Sequence, residues 1–204
     1  IDVAAMLDAD LAAIGAMPGV EAVATANMAP LNQSGWNLTV QPNADPDAEG
    51  TNAAFYFSSE SLVDALGLQL VAGRDFTPDE VQVIEPSIAN IAPKHAILTK
   101  ALAERLYPGE TDFIGRTASL GGRDDASVFE VVGIVERLQS PWAQLGPQAE
   151  HSMIVPLRQL EPSAAYVVRT EPGQRDRVMR EVEDKLTAAR SDRVHLSTTS
   201  LSEA

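Results

Sequence analysis

The two long helical periodicities in this chain sit at its opposite ends, and the stretch between them is mostly short apolar runs cut by Gly and Pro. Near the start, Ile1, Val3, Met6, Leu7, Leu11 and Ile14 share one helical face, while Asp2, Asp8 and Asp10 occupy the other; Gly15 and Pro18-Gly19 stop the helix. Near the end, Val178, Val182 and Leu186 mark a helix over residues 172–190. Alternation over residues 20–31 and short apolar runs at 36–40, 54–57, 68–71, 96–98, 114–120, 128–135, 153–157, 166–169 and 194–197 read as strands. Ser61 with Asp64, Thr77-Pro78 with Asp79-Glu80, and Thr99 read as starts of short helices, and Gly67 suits a helix end. Residues 121–125, Gly-Gly-Arg-Asp-Asp, read as a hairpin tip. Residues 82–93 resist assignment because Pro86 and Pro93 interrupt them, and residues 41–52 and 140–150 read as loops. The pattern is that of an α+β protein with helix-rich ends and a hairpin-rich middle.

Charge and chemistry narrow the function. The 204 residues suffice for one large domain or two small ones with a substantial core. A formal net charge of −14 opposes binding to nucleic acid or to anionic membrane surfaces, and its simplest consequence is solubility. The absence of cysteine removes disulfides, thiol catalysis and thiolate metal sites. No apolar run approaches the roughly 20 residues that span a bilayer. With Ile1 rather than Met at the start and no signal peptide, the sequence reads as a piece of a longer protein whose membrane segments lie elsewhere.

Catalytic and cofactor motifs are missing. There is no Walker A loop, no Gly-x-Ser-x-Gly elbow and no His-Glu-x-x-His, so no cofactor and no metal is expected. His95, His151 and His195 share no ligand spacing, and a hydrolase reading would need one of them to meet a carboxylate and a nucleophile in the fold. Asp45-Pro46-Asp47 and Asp124-Asp125 read as solvated turns rather than cation loops. Asn37-Leu38-Thr39 fits a glycosylation triplet but falls in an expected strand. Gly73-Arg74 and Gly115-Arg116 read as turn glycines followed by arginines that pair with local carboxylates or carbonyls, the alternative being anion ligands.

The order of several weak motifs is more specific than any one of them. LGLQLVAGRDF (66–76), AILTKALAERLYPGE (96–110), FIGRTASLGG (113–122), FEVVGIVERL (129–138) and MIVPL (153–157) follow one another, flanked by PGVEAVATANMAPL and AAYVVRTEPG. This series resembles the MacB-like periplasmic core domain of FtsX-type ABC-transporter permeases, over nearly the whole chain. The resemblance implies a porter-like α/β base formed by both chain ends, residues 1–74 and 160–204, with a mostly β insertion at 75–159. The strands at 20–29 and 54–57 are the expected partners of the C-terminal strand–helix–strand unit.

The resemblance also implies a location and partners. The domain would lie on the periplasmic or extracytoplasmic face of the bacterial inner membrane, anchored by transmembrane helices outside this piece. It would be a non-catalytic module coupling cytoplasmic ATP hydrolysis to export or mechanotransmission. An ATP-binding subunit or domain would be its partner through the membrane part, with a periplasmic adaptor or lipoprotein outside. The full-length permease would be dimeric and the excised domain monomeric or weakly self-associating. The other reading is a stand-alone ligand-binding domain using a cleft between subdomains. As a site, the sequence offers Trp142 and Leu145, held between Pro141 and Pro147: either a partner contact or a plug folded back on its own subdomain.

Overall fold

The structure is a computed structural model that describes residues 2–43, 45, 47–84, 91–121, 127–161, 163–189 and 197–201. The expected hairpin tip beyond Gly121, the Asp124-Asp125 pair, Pro46, Pro86, His195 and all but Ser197 of the expected last strand lie outside these residues.

The largest assembly is a sheet that closes on itself. Strand β2 (Asn37–Pro42) pairs antiparallel with β3 (Thr51–Ser58) and with β7 (Thr117–Leu120), and β7 pairs antiparallel with β8 (Ser127–Val135). Strand β6 (His95–Thr99) runs parallel to β8 and antiparallel to β9 (Ser152–Gln159), and β9 returns to β3 in parallel. Two short strands extend the ring: β4 (Leu70–Gly73) beside the end of β8, and β5 (Gln82–Ile84) beside the end of β9. Three of its strands, β3, β6 and β9, are buried on both sides. Ala53, Phe55 and Phe57 of β3 join Ala96 and Leu98, Phe129 and Val131, and Met153 and Val155 in one cluster. Ala54, Tyr56, Ile97, Val132 and Ile154 point the other way, into a second cluster. Successive strand residues face opposite sides, so a strand covered twice reads as an unbroken apolar run.

Helix α3 (Lys100–Leu106) follows β6 directly. Thr99 caps it by accepting from the Leu102 amide at 3.4 Å, and Leu102, Ala103 and Leu106 pack into the first cluster.

A smaller layer lies against the second cluster. Strand β1 (Val20–Ala26) pairs antiparallel with β10 (Ala165–Thr170) as a two-stranded sheet. Helix α1 (Val3–Gly15) packs on β1 and touches α4 (Arg175–Ala189); α2 (Leu62–Leu66) packs on β1 and β10. The period of two decides the faces: Val23 lies against Gly15 of α1, while Ala22, Ala24 and Ala26 join α2 residues Leu62, Val63 and Ala65. Asp2 caps α1 and Ser61 caps α2, each accepting from the amide three residues on at 3.0 Å, and Gly67 closes α2 at φ 63°.

Two expectations need correction at the level of strands. Residues 54–57 do not partner the C-terminal strand: β3 belongs to the ring, and β1 alone pairs with β10. The expected boundary near residue 74 is crossed by β2, β3 and β4, all of which pair within the eight-stranded sheet. The reason is register: five consecutive residues of β3, Ala54 to Ser58, match five of β9 in parallel, and the apolar residues of both strands then fall on matching faces. Asp10 also departs from its expected solvent face. It is buried beneath β10 and accepts from the Tyr166 hydroxyl at 2.6 Å.

Side chains, more than backbone ladders, tie the layer to the ring. The Asn27 amide nitrogen donates to the Phe55 carbonyl at 2.8 Å, and its oxygen accepts from the Phe57 amide at 2.9 Å. It thus completes the edge of β3 just where β1 ends. Glu60 accepts from both the amide and the hydroxyl of Thr25 at 2.8 Å. Arg158 at the end of β9 reaches α1, donating to Asp8 at 2.6 Å and to the Ala4 carbonyl at 3.1 Å.

Candidate interaction surface

Trp142 opens a 3-10 segment, Ala143–Glu150, that breaks at Gly146, where φ is 60°. Its indole is half-buried and lies in neither core cluster, while Leu145 is 43% exposed. The loop's root is fixed. Ser140 Oγ accepts from the Trp142 amide and donates to the Trp142 carbonyl, both at 3.2 Å, and the Ser140 amide donates to the Ala149 carbonyl at 2.7 Å. Below it, the Tyr56 hydroxyl donates to the Gln139 carbonyl at 2.7 Å, and burial raises the Tyr56 pKa far above its ordinary value.

This loop has a neighbour that sequence reasoning missed. The Leu31 and Gln33 amides donate to the Ser140 and Pro141 carbonyls at 3.3 and 3.0 Å. Both donors adopt left-handed backbone, φ 61° and 64°, a conformation costing roughly 1–2 kcal/mol for a residue with a side chain. A Cβ on Gly35 would lie 2.7 Å from Pro141 Cγ and 2.5 Å from Met28 Sδ. Trp36, the other tryptophan of the chain, follows at once and packs edge-on against Phe57 with ring centroids 6.0 Å apart. Trp36 and Trp142 therefore belong to adjoining loops.

The remaining candidates separate. His95 begins β6 and His151 precedes β9; because those strands are antiparallel, the two histidines sit at opposite ends of the pair. His95 Nδ1 lies 3.0 Å from Glu80, without hydrogen-bond geometry. Burial, and then the charge of Arg105, push the His151 imidazole below its ordinary range. Among the described residues no three His, Asp or Glu side chains are grouped to hold a metal. The Gly-Arg turns are structural. Arg74 forks onto both oxygens of Glu80 at 2.7 Å, and Arg116 meets Glu110 at 2.6 Å. Gly73 has φ 70°, and a Cβ there would lie 2.1 Å from the Val132 carbonyl oxygen, so backbone passes where a side chain would stand.

The model of the MacB-like periplasmic core domain family matches residues 2–185. The chain belongs to this family. As a MacB-like periplasmic core domain, it is the periplasmic part of an ABC-transporter permease. Its fold is similar to that of the extracellular domain of the noncanonic ABC-type transporter YknZ from Gram-positive bacteria, at 19% identity over 89% of this chain and 82% of that one, with a TM-score of 0.57. It is also similar to the periplasmic region of MacB from Actinobacillus actinomycetemcomitans, at 14% identity over 89% and 73%, with a TM-score of 0.55. No relative among curated protein sequences matches it. The α+β fold expected from the sequence agrees with these domains. Among the described residues of the MacB-like domain, no helix is long and apolar enough to cross a membrane.

Proposed function

We propose that this domain is a non-catalytic coupling module of its permease. An ATP-binding subunit or domain hydrolyses ATP in the cytoplasm. Membrane helices beyond this piece move in response, and the domain carries that motion outward to an adaptor or substrate held at the Trp142 and Leu145 loop. Two units take part: a base of α1, β1, α2, β10 and α4, and the ring with its added strands. The seam between them is the observation that supports this reading. Asn27, Glu60 and the Arg158–Asp8 pair bond directionally across it, so a displacement of α1 or α4 is passed to the ring instead of being absorbed in a loose apolar contact. Coupling of this kind needs two conformations that nucleotide state biases differently.

The test uses the full-length permease carrying Asn27→Ala. ATP hydrolysis should persist while transport or partner movement falls several-fold, because the motor still turns and the transmission slips. If transport and hydrolysis fall in parallel, or neither changes, the seam is not the transmission. Turnover of an ester, phosphate or nucleotide by the purified domain, abolished by a single pocket substitution, would also end the non-catalytic reading.

A further inference from the structure

Residues 197–201 lie back across the domain and end beside the root of the Trp142 loop. Ser200 is buried, although residues 197–199 and 201 are exposed, and its hydroxyl accepts from the Arg175 guanidinium at the start of α4 at 3.3 Å. Leu201, the one apolar residue between positions 197 and 203, lines a shallow groove with Pro30, Leu66, Leu68, Leu138 and Gln139. The groove joins parts that are far apart in sequence. Leu66 ends α2, Leu68 leads toward β4, and the Glu136 amide donates to the Gln69 carbonyl at 2.9 Å, which fixes that wall against the stretch after β8. Another part of the wall is the loop's own root. Pro30 and Gln139 precede the two members of the hydrogen bond from the Leu31 amide to the Ser140 carbonyl, and the Gln139 carbonyl accepts the Tyr56 hydroxyl.

We infer that residues 197–201 are a strap that regulates the Trp142 and Leu145 loop: Leu201 in the groove steadies the loop's root, and Leu201 out of it leaves the root free to shift. The inference rests on the reading of that loop as a contact, and it adds what controls the contact. Ser200 anchors the strap, so Leu201 is delivered to one place. The walls Leu66, Leu68 and Leu138 belong to the second cluster, so the leucine takes apolar surface out of water when it settles there. The seat is also loose. Leu201 is 45% exposed, and the groove of about 350 Å³ is open around it. A leucine placed for stability alone would be enclosed, whereas one held by half its surface leaves without opening a core. Seated and released strap are therefore two states separated by a small free energy, which is what a switch biased by a partner or by movement requires. The strap is tied to α4 of the base and ends against residues that lead into the contact loop. A displacement of α4 thus reaches the loop by a path that does not pass through Asn27.

The chain has no cysteine, so introduced thiols report on the strap alone. In the 204-residue chain, a short reducible bismaleimide should bridge Leu68→Cys to Leu201→Cys several-fold faster than Leu68→Cys to Thr199→Cys, because Thr199 is exposed and lies before the anchor. Leu201→Ser should quicken hydrogen exchange several-fold at the amides of Leu31, Gln33, Ser140 and Trp142 while β6 and β8 stay slow, and Leu201→Met should keep exchange slow at all of them. Equal bridging from positions 199 and 201, unchanged exchange at those four amides, or equal quickening throughout the chain overturns the strap. In a full-length permease with no other cysteine, the bridge from Leu68→Cys to Leu201→Cys should lower transport several-fold, and reducing the linker should restore it. Transport indifferent to the bridge would make the segment a fixed brace and overturn its regulatory role. The two readings fail separately. If Leu145→Glu leaves partner binding and transport intact, the loop is not a contact, whereas bridging and exchange still decide whether the strap holds its root. If Leu145→Glu impairs transport while bridging and exchange show no seat, the contact stands and the strap is wrong.

Discussion

In the ring, β3 sets Ala53, Phe55 and Phe57 on one side and Ala54 and Tyr56 on the other, and all five are buried; in the layer beside it, β10 buries none of its six residues fully. The central ring strands β3, β6 and β9 are covered twice, once around the interior and once by the layer. The layer strands are held instead by α1 and α2, by Ala24 and Ala26 of β1 in the second cluster, and by ion pairs such as Arg169 with Glu21 at 2.9 Å, on half-exposed side chains. Exposed pairs of this kind contribute little each, typically under about 1 kcal/mol. The difference teaches that the ring should carry most of the domain's stability and the layer should be the part that yields first.

The sharpest way to break that comparison is to hollow the ring. Phe55 is fully buried and touches Phe57 edge-on with centroids 6.1 Å apart. Phe55→Ala should cost about 3–5 kcal/mol by lost transfer energy and an unfilled cavity, read as a large fall in denaturant midpoint with the slope unchanged. A cost under about 1 kcal/mol would mean that the ring interior is loosely packed and the comparison is wrong.

The seam should respond less. Asn27→Ala removes one donor and one acceptor from the edge of β3 and leaves the Phe55 carbonyl and Phe57 amide without those partners, at a cost of about 1–3 kcal/mol. Hydrogen exchange should quicken in β1 and β10 and remain slow in β6 and β8. Equal quickening throughout would mean that the two regions open as one unit.

Much of the ring was legible and its closure was not. Short apolar runs gave the strands, because a strand buried on two faces has no polar alternation to hide it. Thr99, Ser61 and Gly67 announced their helix ends through local chemistry. The parallel pairing of β3 with β9 has no local signal, since its two members lie about a hundred residues apart in sequence. Strand β5 was obscured by the prolines that follow it. Asp10 read as a solvent-facing acid because helical spacing records the face and not the tyrosine that comes to cover it. Trp142 and Leu145 could be singled out from composition, but their neighbour at residues 28–36 could not, because backbone hydrogen bonds to Ser140 and Pro141 leave no trace in the sequence.

A smaller effect lies where β4 leaves the ring. Glu80 accepts both forks of Arg74 and the Thr77 amide at 2.8 Å, which hold its carboxyl down to about 2 against an ordinary 4.5. A carboxylate depressed in the folded state contributes stability above its unfolded pKa and loses it as pH falls through the folded one. The contribution should therefore be whole above about pH 5 and fade toward pH 2. Because Arg74 is half exposed, solvent screening holds it to about 1–2 kcal/mol. Glu80→Gln should lower stability at pH 7 by about that amount and flatten the acid limb of the pH profile. An acid limb identical to that of the unsubstituted domain would mean that the Arg74 fork is broken in solution.

The smallest effect on stability is expected at Trp142, and the other tryptophan supplies the contrast. Trp36 packs on the ring interior through Phe57, so Trp36→Ala should cost about 2 kcal/mol, less than for a fully buried aromatic. Trp142 belongs to neither core, and the loop carrying it is fixed at its root by the Ser140 hydroxyl and by backbone bonds to Ala149, Leu31 and Gln33, none of which involves the indole. Removing the indole should leave those bonds in place, and Trp142→Ala should cost under about 1 kcal/mol, within the range of surface substitutions. Its effect on binding should be larger than its effect on folding, because a tryptophan held on a fixed loop loses little side-chain freedom when a partner covers it. The two quantities separate the readings. Partner binding and transport should fall in Trp142→Ala while the melting temperature stays within about 2–4 °C, the shift that up to about 1 kcal/mol produces in a domain of this size. A large drop in melting temperature with partner binding and transport intact would make the indole a plug for its own loop and leave Leu145 as the contact.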